Sequence, residues 1–182
     1  AKKCRIIFNN SAENFSIELV KNLETMGKKV IDSSRKYYYP EDKWVLFLMC
    51  KKNKIPTVET TLLSENLSVV KGELKRFDRW PVVLKRIVGC GGEYVEKAKN
   101  TNEAIRIIKK FWKKGKERLP IIAQEFIKSP SYRLTTIDGR IVQTAIKESP
   151  HWKNTGVSSE RFRKMKVDAK LRKLAKKIFK IT

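Results

Sequence analysis

Pro81-Val82-Val83-Leu84-Lys85-Arg86-Ile87-Val88-Gly89-Cys90-Gly91-Gly92 is the stretch on which the fold turns. Residues 82–88 are apolar and β-branched apart from Lys85 and Arg86, which predicts a strand. It runs straight into a glycine cluster that frees the backbone to turn sharply. A lysine on such a strand, followed by such a turn, can neutralise a phosphate while backbone N–H groups approach the same anion. No Gly-Lys-Ser/Thr follows the glycines, so this is not a Walker A loop. Taken alone, the stretch fits equally well a strand-edge lysine beside an ordinary turn.

Downstream, the spacing of Ala104, Ile105, Ile108, Phe111 and Trp112 predicts a helix over residues 101–114 with those side chains inward. Residues 121–127 read as a strand. Its end, Gln124-Glu125-Phe126-Ile127, suits either a core strand running into a loop or a crossing between lobes. At a crossing, backbone groups can read a purine edge and Phe126 and Ile127 can cover the ring. Residues 132–147 read as a hairpin about Asp138-Gly139, a two-residue type I′ signal that pairs Arg133 with Thr144. Arg133 and Lys147 are then either solvated edge charges or inward cations that fork onto phosphate oxygens. From Asp168, Leu171, Leu174, Ala175 and Ile178 mark the inner stripe of a last helix.

Upstream, residues 4–8 read as a buried strand and Asn9-Asn10 as a turn, with Asn10 and Glu13 forming a capping box. Phe15, Leu19, Val20, Leu23 and Met26 recur at helical spacing, and Gly27 supplies a left-handed stop. Val30-Ile31 begins a short strand. Glu41-Asp42 open another helix, with Val45, Leu46, Met49 and Cys50 inward, ending before Ile55-Pro56. Residues 57–63 are strand-like. This order of elements predicts an α+β protein of two lobes, with a ligand cleft between them.

The chain has 182 residues, enough for one domain or two small lobes. At 41% hydrophobic with apolar residues in periodic blocks, it can bury a core despite 34% charged residues. The net charge of +23 attracts polyanions such as nucleic acid, nucleotides or acidic polypeptide. The plainer reading is that many lysines solvate helix faces. Cys4, Cys50 and Cys90 form no Cys-x-x-Cys pair and His151 stands alone, which argues against zinc and for reduced thiols in a cytoplasm. No stretch is apolar enough to span a membrane, and the first residues carry no signal-peptide cleavage pattern.

Taken in order, Asp42-Lys43, Lys54-Ile55-Pro56-Thr57-Val58, Pro81 to Lys85, Gly89 to Gly92, Gln124 to Ile127, Tyr132-Arg133, Asp138-Gly139, Ala145-Ile146-Lys147 and Asn154 run collinearly with the RimK-type branch of the ATP-grasp superfamily. The resemblance runs from about residue 40 onward, and Asn9-Asn10 echo a preceding domain. No single motif is specific; their shared order and spacing are. The resemblance implies a short remnant of a pre-ATP-grasp domain over 1–40. It implies an N-terminal ATP-grasp lobe over 41–119 and a C-terminal lobe over 120–182. It also implies an ATP-dependent carboxylate–amine ligase acting through an acyl phosphate, such as glutamate ligation to an acidic acceptor.

By resemblance, Lys43 and Lys85 hold nucleotide phosphates, and Gly89, Gly91 and Gly92 close over them. Gln124, Glu125, Phe126 and Ile127 form the stretch that reads adenine. Arg133 and Lys147 lie near the phosphates and the acyl phosphate, and Asn154 near the acceptor pocket. There are departures. Ser131 stands where the family has a ribose-binding carboxylate, and Tyr94 where the loop has its last glycine. The family's magnesium ligands belong to a segment that would begin at Ile181-Thr182, so no metal ligand is assigned here. ATP and Mg²⁺ are the implied cofactors. The implied partners are a carboxylate acceptor and an amino acid; a polyanion or nucleic acid and a homo-oligomeric copy are also admitted. Two other functions are compatible with the sequence: a basic nucleic-acid-binding module, and a nucleotide-binding ATP-grasp domain without catalysis.

Overall fold

The computed structural model describes residues 4–9, 14–35, 41–89, 91–114, 118–149, 151–153 and 161–182. The expected Asn10–Glu13 capping box, Cys90, the tyrosines at 37–39 and Asn154 lie outside the described residues.

A small unit comes first. Strands β1 (Ile6–Phe8) and β2 (Lys29–Ile31) pair in parallel, Ile7 beside Val30, around helix α1 (Asn14–Thr25). Gly27 takes φ +75° just after the helix, as a left-handed stop requires. The burial expected here does not occur. Phe8 is 75% and Phe15 79% exposed, with Leu19 and Met26 also exposed. Val20 and Val30 are the buried apolar residues of this unit among those described. Two three-residue strands and one helix have too little surface to enclose more.

Helix α2 (Lys43–Lys52) starts at Asp42, whose carboxylate accepts the N–H groups of Trp44 (2.8 Å) and Val45 (3.0 Å). It buries Phe47 and Cys50, while Val45, Leu46 and Met49 are half-buried. Residues 44–50 are apolar throughout, so periodicity could not single out one face.

The core lies under an antiparallel four-stranded sheet in the order β3 (Thr60–Leu63), β6 (Ile121–Glu125), β4 (Val82–Arg86), β5 (Val95–Ala98). One face packs on α3 (Leu67–Phe77) and α4 (Thr101–Lys114) through a single cluster that includes Val70, Leu74, Leu84, Ile108 and Phe111. Strand alternation sends Val82 and Leu84 into this core and Val83 and Lys85 to the opposite face. Helix α3 and strand β5 were not expected, nor was the strand over Arg161–Arg163. The signals for α3 are nonetheless present. Asn66 caps it, accepting the Ser68 N–H at 3.0 Å, and Leu67, Val70, Leu74 and Phe77 follow at helical spacing.

After Glu125 the chain crosses to a second antiparallel sheet, β7 (Ser131–Ile137), β8 (Arg140–Glu148) and β9 (Arg161–Arg163), covered by α5 (Ala169–Ile181). Asp168 caps α5, and Ala175 is its buried residue; Leu171 and Leu174 are half-buried, whereas Ile178 is exposed. The turn of the hairpin is as expected, with positive φ at Asp138 (+49°) and Gly139 (+69°). The register beyond it is not. Ile137 pairs with Arg140 and Thr136 with Ile141, but Thr135 pairs with Gln143, leaving Val142 as an extra residue. Arg133 is therefore opposite Ala145, not Thr144, and Ser131 is opposite Lys147. Because facing residues share a face, the bulge puts Arg133 and Lys147 on the same side of the sheet; an unbroken register would have separated them.

Among the described residues no helix is long and apolar enough to cross a membrane.

Candidate functional site: a cleft between the two sheets

The free face of the four-stranded sheet carries two rows of paired residues. Thr60, Gln124, Val83 and Lys97 form one, and Ile122, Lys85 and Val95 the next. The polar members are wired together. The Lys85 ammonium donates to Gln124 Oε1 at 2.6 Å, Gln124 Nε2 donates to Thr60 Oγ1 at 2.9 Å, and the Thr60 hydroxyl donates to the Val58 carbonyl at 2.9 Å. Gln124, read from sequence as part of the hinge, thus orients the lysine through its side chain.

Lys43 reaches the same place from the first turn of α2. Its Nζ donates to the carbonyls of Gly89 (3.0 Å) and Ile87 (3.3 Å). Burial holds the pKa of Lys85 below the ordinary lysine value, and the neighbouring Lys43 charge adds to that effect. Two cations converge here, and a bound anion would be stabilised between them. The glycine loop completes it. Gly89 and Gly91 have φ of +128° and +66°, conformations that side-chain-bearing residues rarely adopt.

These residues line a cavity of about 480 Å³, with Gly92, Val58, Val83 and Val95 on the sheet side and Glu125, Phe126, Ile127, Ser131, Trp152 and Lys153 opposite. The strand-to-loop crossing forms one wall. The backbone N–H of Glu125 donates to the Glu59 carbonyl at 3.0 Å and that of Phe126 to the Pro81 carbonyl at 3.3 Å. The N–H of Ile127 has no hydrogen bond to a described residue. Phe126 meets Trp152 edge to face, centroids 6.2 Å apart, and the Lys97 ammonium sits 4.3 Å from the Phe126 ring centre and 5.2 Å from that of Trp152. Lys153 closes the rim by donating to the Gly92 carbonyl at 3.3 Å.

Lys43, Lys85, Gly89, Gly91, Gly92, Gln124, Glu125, Phe126 and Ile127 are thereby brought together at one cavity. Arg133 and Lys147 do not line it. Arg133 is exposed, while Lys147 is 3% exposed with its ammonium 5.6 Å from the Phe162 ring centre. The nearest link is Ser131, which lines the cavity and pairs with Lys147. Sequence reasoning missed Trp152, Lys153 and Lys97. No periodicity marks them, because the first two lie in an irregular segment and the third on an unforeseen strand.

The cavity suits a nucleotide: cations and free backbone at one end, an apolar wall with an unused N–H at the other. A metal site is a different matter. Among the described residues no group of three or more His, Cys, Asp or Glu side chains is placed to hold an ion.

Comparison with known proteins identifies the fold and the family. Residues 40–182 match the model of the RimK-like ATP-grasp domain. The coenzyme gamma-F420-2:alpha-L-glutamate ligase of Methanocaldococcus jannaschii is 28% identical over 169 residues, 90% of this chain and 57% of that protein. Among solved structures, a RimK domain protein ATP-grasp from Sphaerobacter thermophilus superposes with a TM-score of 0.76 at 18% identity, covering 97% of this chain and 63% of that one. The D-alanine–D-alanine ligase of Bacillus anthracis complexed with ATP gives 0.76 at 14% identity, covering 99% and 60%. The chain thus spans about three fifths of the length of the relatives it matches. With the fold and the sequence pattern in agreement, the chain belongs to the RimK-like ATP-grasp family.

Proposed function

We propose that this chain is the nucleotide-binding part of an ATP-dependent carboxylate–amine ligase, and that ATP occupies the cleft between the two sheets. The observation that supports this most is the meeting of Lys43 and Lys85, from separate elements, at the glycine loop. Lys85 and Lys43 neutralise phosphate charge, and the loop N–H groups close on the same oxygens. Val83, Val95 and Phe126 cover the base, and the Ile127 N–H donates to its edge. Ser131 cannot grip a ribose as a carboxylate would, so the base and phosphates carry most of the affinity.

In the reaction proposed, a carboxylate takes a phosphoryl group from ATP and an amine then displaces phosphate from the acyl phosphate. What the chain contributes is positioning and charge neutralisation. Arg133 and Lys147, on one face beside Ser131, are assigned to the transferring end, and Asn154 to the acceptor side. The substrates proposed are a carboxylate acceptor and an amino acid such as glutamate. The units proposed are 1–40, 41–119 and 120–182, with β6 the strand that the last unit lends to the four-stranded sheet. A cytoplasmic location follows the same family reading.

The test is thermal unfolding of the full chain with and without a non-hydrolysable ATP analogue. A ligand at a hundred times its Kd adds about 2.7 kcal/mol of stability. The expected result is a clear rise in Tm for the native chain and none for Lys85→Met. An unchanged Tm for the native chain would sink the proposal.

A further inference from the structure

The second sheet is forked along one edge of β8. Strand β9 pairs with β8 as far as Ile146 beside Arg163. Continuing that register would place Thr144 beside Met165, and they are indeed neighbours, but the backbones no longer pair. The Thr144 hydroxyl stands between them instead, donating to the Met165 carbonyl at 2.8 Å and accepting its N–H at 3.3 Å. Beyond that bridge the chain splays away from β8, and a groove of about 610 Å³ opens between residues 141–144 and 164–167.

Three features of this groove point to one kind of occupant. One flank is a strand edge whose β9 partner has ended, so its backbone groups face the gap and can pair with an incoming strand. Apolar surface comes from Ile141, Met165 and Val167, and from the bulged Val142, which is 55% exposed. Lys164, Lys166 and Arg172 also line the groove, and among the described residues none of the three has a salt bridge to an acidic side chain. The groove shares no lining residue with the nucleotide cleft.

We propose that this groove docks an extended acidic peptide, which adds to the free edge of β8 between Ile141 and Thr144 while its carboxylates meet Lys164, Lys166 and Arg172. Backbone pairing supplies register and alternate side chains supply selectivity, as in other strand-addition complexes. A nucleic acid would satisfy the cations but not the strand edge or the apolar surface. The inference is independent of the nucleotide reading.

The experiment uses the full chain and a fluorescein-labelled peptide of alternating glutamate and valine, read by fluorescence anisotropy. Saturable binding is expected, weakened about tenfold or more by the double charge reversal Lys166→Glu/Arg172→Glu. The same peptide with alternate backbone nitrogens methylated keeps its charge and loses strand pairing, and it should bind at least about tenfold more weakly. The Tm of the double variant checks that it is folded, and Lys166→Ala alone provides a milder second variant. Equal binding of methylated and unmethylated peptides would overturn strand addition. Absence of peptide binding, or tighter binding of a single-stranded oligonucleotide with the same sensitivity to the variants, would overturn the acidic-peptide assignment.

Discussion

Lys85 is the residue whose chemistry is most constrained. Its ammonium is half-buried beside another cation, and a neutral amide is its hydrogen-bond partner. Its pKa in the folded chain lies below the unfolded value, so between the two the unfolded state holds more protons. This residue's contribution to stability therefore rises as pH rises through that window. A bound phosphate reverses the environment by favouring the charged form. Nucleotide binding should then take up a proton when the pH lies between the unliganded and liganded pKa values, and affinity should fall as pH climbs through that range. Calorimetric titration in two buffers of different ionisation enthalpy measures this directly; identical proton uptake in Lys85→Met would show that another group is responsible. The neighbouring Gln124 is a positioning residue on the same grounds. Gln124→Leu should weaken nucleotide binding about fivefold to tenfold, since it leaves the Lys85 ammonium without its oriented acceptor.

Elements bring predictions about packing. Leu74 of α3 is 1% exposed within the main cluster. Leu74→Ala should cost about 2–5 kcal/mol in denaturant unfolding, whereas Asn66→Ala at the cap of the same helix should cost about 1 kcal/mol. In the hairpin, Gly139 has φ +69°, and a Cβ there would lie 3.3 Å from Phe179 Cδ1 of α5. Gly139→Ala should destabilise the chain by about 1 kcal/mol or more, through backbone strain together with a crowded contact that α5 must yield to. A neutral result would mean that the turn relaxes independently of α5. The bulge at Val142 puts Arg133 and Lys147 on one face. On the proposed ligase reading, deleting Val142 should separate them and lower the turnover of a full enzyme far more than its nucleotide affinity, a difference visible by comparing kcat with the analogue's Kd.

For the molecule as a whole, 42 Lys and Arg against 19 Asp and Glu create a long-range positive field. If that field steers the proposed nucleotide towards the cleft, its association rate should drop severalfold between low salt and about 0.5 M salt. Stopped-flow fluorescence would detect it. An association rate indifferent to salt would confine the role of the net charge to surfaces away from the cleft.

What the amino-acid order determined unaided was the local grammar. The glycine loop after strand β4, the Asp138-Gly139 turn and the amphipathic face of α4 each rest on neighbours in the chain. Local sterics and periodicity are enough to mark them. Helix α3 is just as local, spelled out by Asn66, Leu67, Val70 and Leu74, although it was not among the expected elements. Tertiary structure alone decided which distant groups meet. The Lys43 approach to the Gly89 carbonyl, the Lys85–Gln124–Thr60 chain of hydrogen bonds, and the closing of the cleft by Trp152 and Lys153 join residues 39 to 64 positions apart. Register decided the rest. One extra residue at Val142 changes which side chains face each other, and strand period two is blind to a bulge until the partner strand is in place.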